Sequence, residues 1–383
     1  MRESKTNISV LAMTMGSGGA EKVISLFLPK LMKDYNVTLI LFYDIFHFEI
    51  PNGLPVEILI KKVNMSIFQK IFLFPVAFFR YLKLVKSKNI SVSISFLIRP
   101  NLLNGILKIF LRDKIRVVMS ERNYPSIEYR SSPGRYYLYK TLIPLLYSKA
   151  DHLFSNSEWI NKDLKDNFNV STRFEVIYNP IILPQKKAVP GNADTVRFIN
   201  VGRVIAIKNQ ELIIDALADV TGNYRMIFLG NGDLLDHLKE KIKKLDSVNH
   251  IEFAGNVKNV NDYLSDSDCF ILSSHSEGFP NAIVEAMAIG LPVISTNCLS
   301  GPLEILNDNE QVNIDKGNFF IASHGILINV GDREGLKKAI NYVMSNKTFL
   351  REYSFKSLER AKEYSLDNIY IKLNHLIENA RCN

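Results

Sequence analysis

The chain's most chemically suggestive residues are two carboxylates eight positions apart. They are Glu277 and Glu285, in the run Ser273-Ser274-His275-Ser276-Glu277-Gly278-Phe279-Pro280-Asn281-Ala282-Ile283-Val284-Glu285-Ala286. The apolar stretch Asp268–Ser273 predicts a strand, and Pro280–Ile289 predicts a helix. Pro280 would take the first helical position, where a missing N–H costs nothing. Glu277 then sits on the connecting loop and Glu285 about a turn and a half into the helix. They do not stack on one face; they bracket the helix N-terminus, whose amides and dipole attract phosphate. Carboxylates on either side of a diphosphate can accept hydrogen bonds from hydroxyls, one set from a sugar and one from a ribose. Glu285 could instead be a solvated helix residue, but Ala282, Ala286 and Ile289 give it an apolar border, where a carboxylate needs a partner.

Two cations could serve the same chemistry. Val201-Gly202-Arg203 closes another apolar run, and Lys208 follows five residues after Arg203. A guanidinium fork and a point charge on one loop can converge on a diphosphate, or stay solvated. Near the start, Gly16-Ser17-Gly18-Gly19-Ala20-Glu21-Lys22 follows a strand and opens a helix. Such a turn lets the backbone approach an anion, or is only tight. It lacks the Gly-Lys-Ser/Thr ending of a phosphate-binding loop and the third glycine of a dinucleotide fingerprint.

Short apolar runs alternate with helical stretches through the whole chain, the pattern of βαβ units and parallel sheets. In the first half strands are predicted at Ile8–Met13, Val37–Tyr43, Val56–Ile60, Ile90–Phe96, Val117–Glu121 and His152–Asn156. Helices are predicted at Ala20–Asp34 and at Phe68–Lys88, despite Pro75. The pattern restarts with strands at Val196–Gly202, Tyr224–Leu229, His250–Ala254, Asp268–Ser273 and Pro292–Thr296. Between them lie helices at Gln210–Val220, Leu234–Leu245, Val260–Ser265 and Pro280–Ile289. Ile177-Tyr178-Asn179-Pro180 and the polar run to Asp194, with Pro184 and Pro190, have the composition of a linker. The fold class is therefore α/β, two doubly wound domains, in which ligands bind beyond the carboxyl ends of the strands.

The combination Gly202-Arg203…Lys208 with Glu277-x7-Glu285 resembles the retaining glycosyltransferases of family 4. Further matching segments are Phe228-Leu229-Gly230-Asn231-Gly232, Phe253-Ala254-Gly255-Asn256-Val257, Gly290-Leu291-Pro292-Val293-Ile294 and Val176-Ile177-Tyr178-Asn179-Pro180. Within the family, Met119-Ser120-Glu121-Arg122-Asn123 and Ser300-Gly301-Pro302-Leu303-Glu304 look like enzymes that extend bacterial O-antigen, capsule or other lipid-linked glycan precursors. The resemblance implies the GT-B architecture, two Rossmann-like domains facing a central cleft. Residues 1–180 would be an acceptor- and membrane-facing domain, 181–365 the nucleotide-sugar domain, and 366–383 a helix packing back on the first. It also implies that Arg203 and Lys208 hold the donor diphosphate and stabilise the leaving charge without a metal. Glu277 would contact the donor sugar and Glu285 the ribose. Gly18, Gly19, Gly202, Asn231, Gly232, Gly278, Phe279, Pro280 and Asn281 would complete donor binding. Glu121 and Arg122 are acceptor-side candidates, Glu121 standing where many relatives carry a histidine. Asp266-Ser267-Asp268 spells an Asp-x-Asp metal motif but precedes a strand, so no metal and no cofactor beyond the UDP-sugar co-substrate is expected. Retention would proceed by same-face displacement assisted by the leaving phosphate.

Charge separates the halves. Residues 1–180 hold 25 Lys+Arg against 14 Asp+Glu, net +11, and residues 181–383 hold 22 against 25, net −3. Between Lys61 and Lys149 there are 17 basic residues and 3 acidic ones, interleaved with Phe, Leu, Ile and Tyr. The stretch Phe68–Lys86 is densest, and its apolar side could lie in a membrane interface with Lys70, Arg80, Lys83 and Lys86 on anionic headgroups. No nucleic-acid motif accompanies the charge. Three scattered cysteines, Cys269, Cys298 and Cys382, argue against disulfides or zinc and fit a reducing cytosol. The polar start lacks a secretory signal, and no apolar run reaches the roughly 20 residues of a membrane span. The sequence therefore predicts an enzyme on the inner leaflet of the cytoplasmic membrane that uses a UDP-sugar and a polyprenyl-diphosphate-linked saccharide. The rival readings are a nucleotide-sugar epimerase or phosphorylase of the same architecture, and a non-catalytic membrane-surface scaffold.

Overall fold

The computed structural model describes residues 5–61, 67–128, 130, 132–190, 194–245 and 250–382, with the backbone alone for 67–72. The chain divides into two compact units, Met1–Pro180 with Leu366–Asn383, and Ile181–Ser365.

Unit 1 holds β1 (Asn7–Ala12), β2 (Asn36–Tyr43), β3 (Val56–Ile60), β4 (Val92–Phe96), β5 (Arg116–Glu121), β6 (His152–Ser155) and β7 (Phe174–Val176). They form one parallel sheet in the order β3-β2-β1-β4-β5-β6-β7. The crossovers are α1 (Gly19–Asp34), α2 (Ile67–Ser87), α3 (Ile98–Leu111), α4 (Pro125–Glu128), α5 (Pro133–Tyr147) and α6 (Glu158–Phe168). Strands covered on both faces are largely apolar on both, and β1 buries Ile8, Val10, Leu11 and Ala12 with Ser9 as the one polar residue among them. Ile8, Val10 and Ala12 pack on the α1 side, and Leu11 on the side of α2, α3, α5 and α6.

Unit 2 repeats the plan with β8 (Val196–Val201), β9 (Tyr224–Leu229), β10 (Ile251–Gly255), β11 (Cys269–Leu272), β12 (Val293–Thr296), β13 (Phe319–Ala322) and β14 (Gly325–Ile328). The order is β10-β9-β8-β11-β12-β14-β13, parallel except for the edge pair β13–β14. Its helices are α7 (Gln210–Leu217), α8 (Leu235–Lys243), α9 (Val260–Ser265), α10 (Asn281–Ile289), α11 (Pro302–Asn307), α12 (Arg333–Ser345) and α13 (Lys347–Glu363). Asp332 and Asn346 start α12 and α13 by accepting from the Gly335 and Phe349 amides at 2.9 Å each, satisfying donors that lack a helical partner.

The last helix, α14 (Leu366–Cys382), returns to unit 1. Its buried stripe Ile369, Leu373, Leu376, Ile377 and Ala380 joins the α1 core, and the Tyr35 hydroxyl donates to Asn374 and Glu378 at 2.6 Å. The segment with linker composition is no loose tether. Ile177, Asn179 and Ile181 are buried, and the Ile181 and Ala188 amides donate to the Tyr364 and Ile289 carbonyls at 2.9 Å. From Ile181 the segment satisfies its backbone on the second unit's own helices, which composition alone does not reveal.

Candidate active site

In an open parallel sheet the strand order reverses at one point, and the loops on either side of it part to leave a crevice at the carboxyl ends. In unit 2 that point lies between β8 and β11. The loop after β8 carries Arg203 and Lys208, and the loop after β11 carries Glu277. The two loops meet: the Lys208 ammonium donates to both Glu277 oxygens, at 2.7 and 2.8 Å. The Lys208 side chain is 23% exposed and that of Glu277 only 8%. The pair is thus withdrawn from water but reachable from the crevice.

Several backbone and hydroxyl contacts hold these two side chains. The Ser273 hydroxyl donates to the Lys208 carbonyl at 2.9 Å, and the His275 amide to the Ile207 carbonyl at 2.8 Å. The Ser274 hydroxyl donates to Glu277 Oε1 at 2.5 Å. From the loop after β12, Leu299 accepts from the Glu277 amide and Ser300 donates its own amide back, both at 2.7 Å. The Ser300 hydroxyl reaches the Gly278 carbonyl at 2.6 Å. Sequence reasoning assigned no role to Ser273, Ser274 or Ser300. Their signal was legible, since hydroxyls that follow a buried strand must find acceptors close by.

Pro280 caps α10, which begins at Asn281, one residue later than predicted. Asn281, Ala282 and Glu285 are the partly exposed positions of this otherwise buried helix, so one stripe stays open and Glu285 lies on it. Phe279 is buried. Arg203 is exposed on its loop, and its carbonyl accepts from Gln210 Nε2 at 3.0 Å, which ties the loop to the start of α7. A solvated guanidinium on the same loop as an anchored ammonium suits a ligand whose phosphates arrive from outside.

The loop after β9 closes against the same region. The Gly202 amide donates to the Leu229 carbonyl at 2.9 Å and the Val204 amide to the Asn231 carbonyl at 3.0 Å. Gly230 has φ +132°, and a Cβ there would lie 2.0 Å from the Gly202 carbonyl oxygen. At Gly232 it would lie 2.2 Å from the Val204 oxygen. Only glycine lets these loops pass so closely. Gly230→Ala is expected to destabilise the protein by at least about 3 kcal/mol, because it combines a forbidden backbone region with a backbone collision. Urea unfolding measures this; an unchanged midpoint would show that the loops are not so tightly apposed.

In unit 1 the sheet order reverses between β1 and β4, and there Ser17, Gly18 and Gly19 form an exposed turn before α1. Thr14 accepts from the Gly16 amide at 3.2 Å and donates to Glu21 at 3.3 Å, which fixes the turn. The acceptor-side candidates Glu121 and Arg122 lie beneath the surface of this unit. Both are buried, at the carboxyl end of β5. Glu121 accepts from the Tyr147 hydroxyl at 2.7 Å and from the Arg122 and Asn123 amides at 3.0 and 3.3 Å. The Arg122 guanidinium donates to Asn179 and lies 6.0 Å from the centre of the Phe96 ring. A strand end that must pass beneath α5 buries its last side chains, so these two position the loop from below.

Loss of water pushes the Glu121 carboxyl up to about 7, against the pull of its three donors. Folded chains then keep this proton at pH values where unfolded chains have lost it. The stability it confers is full below the unfolded value of 4.5 and is lost as pH rises through about 7, by up to about 3 kcal/mol. Glu121→Gln should flatten that slope. Urea unfolding at about pH 5 and about pH 8 tests it, since an unaltered slope would place the titration elsewhere.

Family models match most of the chain. The model for glycosyl transferases group 1 covers residues 184–365, and the model for glycosyltransferase family 4 covers 17–183. A relative from Campylobacter jejuni is 30% identical over 361 residues, covering 93% of this chain and 95% of its own. Its name is N-acetylgalactosamine-N,N'-diacetylbacillosaminyl-diphospho-undecaprenol 4-alpha-N-acetylgalactosaminyltransferase. The chain belongs to the family 4 glycosyltransferases. Among solved structures, the lipopolysaccharide outer core galactosyltransferase WaaB aligns with TM-score 0.78 at 17% identity, covering 98% of this chain and 99% of that one. Anabaena HepE in complex with UDP aligns with TM-score 0.77 at 17% identity, covering 98% and 100%. These likenesses show the fold of this glycosyltransferase: two Rossmann-like units of the GT-B class. Among the described residues, no cluster of His, Cys, Asp or Glu could hold a metal ion, and no helix is long and apolar enough to cross a membrane.

Proposed function

We propose that this glycosyltransferase moves a hexose or N-acetylhexosamine from a UDP-sugar to a polyprenyl-diphosphate-linked saccharide, with retention, while lying on the cytoplasmic face of a bacterial membrane. The observation that carries the reading is the Lys208–Glu277 pair across the strand-order reversal, with Glu285 on the open stripe of α10. Lys208 and Arg203 meet the diphosphate, Glu277 the sugar and Glu285 the ribose. The C1–phosphate bond breaks and an acceptor oxygen bonds C1 on the same face. The acceptor's hydroxyl proton passes to the departing phosphate oxygen, so no enzymic carboxylate need become covalently attached. The charge gathering on that phosphate is stabilised by Lys208 and Arg203, with no step assigned to a metal. The lipid-linked acceptor is supported by the Campylobacter relative's name, and the uridine nucleotide by the HepE complex. An N-acetylgalactosamine donor is the first to try.

Its test is UDP release by purified protein from a panel of UDP- and GDP-sugars, with and without extracted polyprenyl-diphosphate saccharides and with and without a chelator. Release should depend on a UDP-sugar and the lipid-linked acceptor and be insensitive to chelation. Acceptor-independent turnover, or release from GDP-sugars alone, would contradict the reading.

A further inference from the structure

The two helical layers of unit 1 differ in charge. On one side of the sheet, α1 carries Glu21 and Asp34 among its lysines, and α14 carries Asp367 and Glu378 with Lys372 and Arg381. On the other, α2, α3 and α5 span 21, 14 and 15 residues and contain eight Lys or Arg and no Asp or Glu. Acids reappear next to these helices, at Asp113 after α3, Glu128 on α4, and Glu158, Asp163 and Asp166 on α6.

The outside of these same three helices is also apolar. The apolar side of α2 does not face outward as the sequence suggested, because Ala77, Phe78, Tyr81 and Val85 fill the unit's own core. Phe79 nevertheless stands 63% exposed on α2, Phe110 61% on α3, and Tyr137 and Leu138 69% and 54% on α5. The Phe78 ring lies 5.5 Å from that of Phe79 and 5.0 Å from that of Phe110, so α2 and α3 present one continuous aromatic ridge. Lys83, Lys86, Arg99 and Lys140 are exposed on the same three helices; the Lys70 side chain lies outside the described residues, and Arg80 is partly spent on the Leu59 carbonyl at 2.6 Å. A cavity of about 810 Å³ opens beside the ridge, lined by Lys86, Phe110, Arg112 and Lys114, with Asp113 the one carboxylate.

Exposed aromatic rings cost free energy in water, and clustered cations repel one another. A surface that keeps both, with cations well in excess of acids, fits a partner that is apolar inside and anionic at its edge. We propose that the outer face of α2, α3 and α5 is the surface by which this enzyme lies on an anionic phospholipid bilayer. Phe79 and Phe110 enter the acyl boundary, while Lys83, Lys86, Lys140 and the cavity cations face headgroup phosphates. The inference rests on the membrane reading above and adds which face does the binding.

Co-sedimentation with phosphatidylglycerol-containing and pure phosphatidylcholine vesicles tests it, using the full chain. Wild type should partition to the anionic vesicles and lose at least about tenfold of that partition in salt above the screening range. F79S/F110S and K83E/K140E should each lose about tenfold or more on anionic vesicles. I371S/K372E, an exposed apolar–cation pair on α14 of the other layer, should retain wild-type partition. All these positions are exposed, and unchanged urea midpoints confirm folding. Wild-type binding that survives both face variants would overturn this surface and leave the membrane reading intact. Absence of wild-type binding would overturn both. A dimer that dissociates in F79S/F110S, without vesicle binding, would assign the face to a second copy and refute the proposal.

Discussion

A Lys208→Ala variant is expected to lose about 10²–10³-fold in kcat at saturating donor while remaining folded. Lys208 has three N–H donors, and two already point at Glu277 at 2.7 and 2.8 Å. The third is available to an incoming phosphate oxygen, so a donor need not break the pair to engage the cation. Negative charge on that oxygen increases as the C1–O bond breaks, so Lys208 binds the transition state more strongly than the ground state. That difference, and not binding alone, accelerates the step. Arg203, exposed on the same loop, adds a second cation without a carboxylate pairing like that of Lys208. Lys208→Arg should restore only part of the rate, because a planar guanidinium that takes Glu277 bidentately cannot also place an N–H where the third donor of the ammonium meets the phosphate. Steady-state transfer at several donor concentrations measures this. A raised KM with kcat preserved would reduce Lys208 to a ground-state contact.

Glu285→Ala should behave differently, raising the Kd for UDP by about 10–100-fold, the worth of a charge-assisted hydrogen bond or two. The proposed ribose contact is present in UDP itself, so titration calorimetry with the sugar-free nucleotide detects it. Glu277→Ala, proposed to act on the sugar, should change UDP affinity far less. The two carboxylates therefore separate by ligand: one is sensed by the nucleotide and the other only by the intact donor. Equal losses on UDP would merge their roles, and an unchanged Kd in Glu285→Ala would remove the ribose assignment.

Much of this arrangement was legible in the residues. The strands Val56–Ile60 and Tyr224–Leu229 and the helix Val260–Ser265 have the bounds their apolar runs predict. The signal comes from the aliphatic and aromatic positions, since even the central strand β4 buries Ser93 and Ser95, which find partners in Asn104 and Asn101. β7 gives little, being three half-buried edge residues, and β13 and β14 are four each. Helix α5 also lacks a periodic signature, since apolar residues lie on its outer side as well as its inner one. The same outward residues reappear as the proposed membrane face. At the site, the sequence placed Arg203, Lys208 and Glu277 on the right loops and Glu285 on the right helix. It did not reveal that Lys208 and Glu277 touch, because contact across a strand-order reversal depends on topology. Nor did it reveal that Glu121 and Arg122 are buried, since a polar pair at a strand end looks the same whether a helix covers it or not.

The assignment of Lys208, Glu277 and Glu285 to a sugar-nucleotide site is tested most directly by the product. Purified enzyme incubated with UDP-N-acetylgalactosamine and an undecaprenyl-diphosphate-linked saccharide, followed by mass spectrometry of the lipid fraction, should show the acceptor extended by one sugar residue, with Lys208→Ala giving almost none. An unextended acceptor across a full panel of UDP-sugars and lipid-linked saccharides, with the protein folded and binding UDP, would contradict the account.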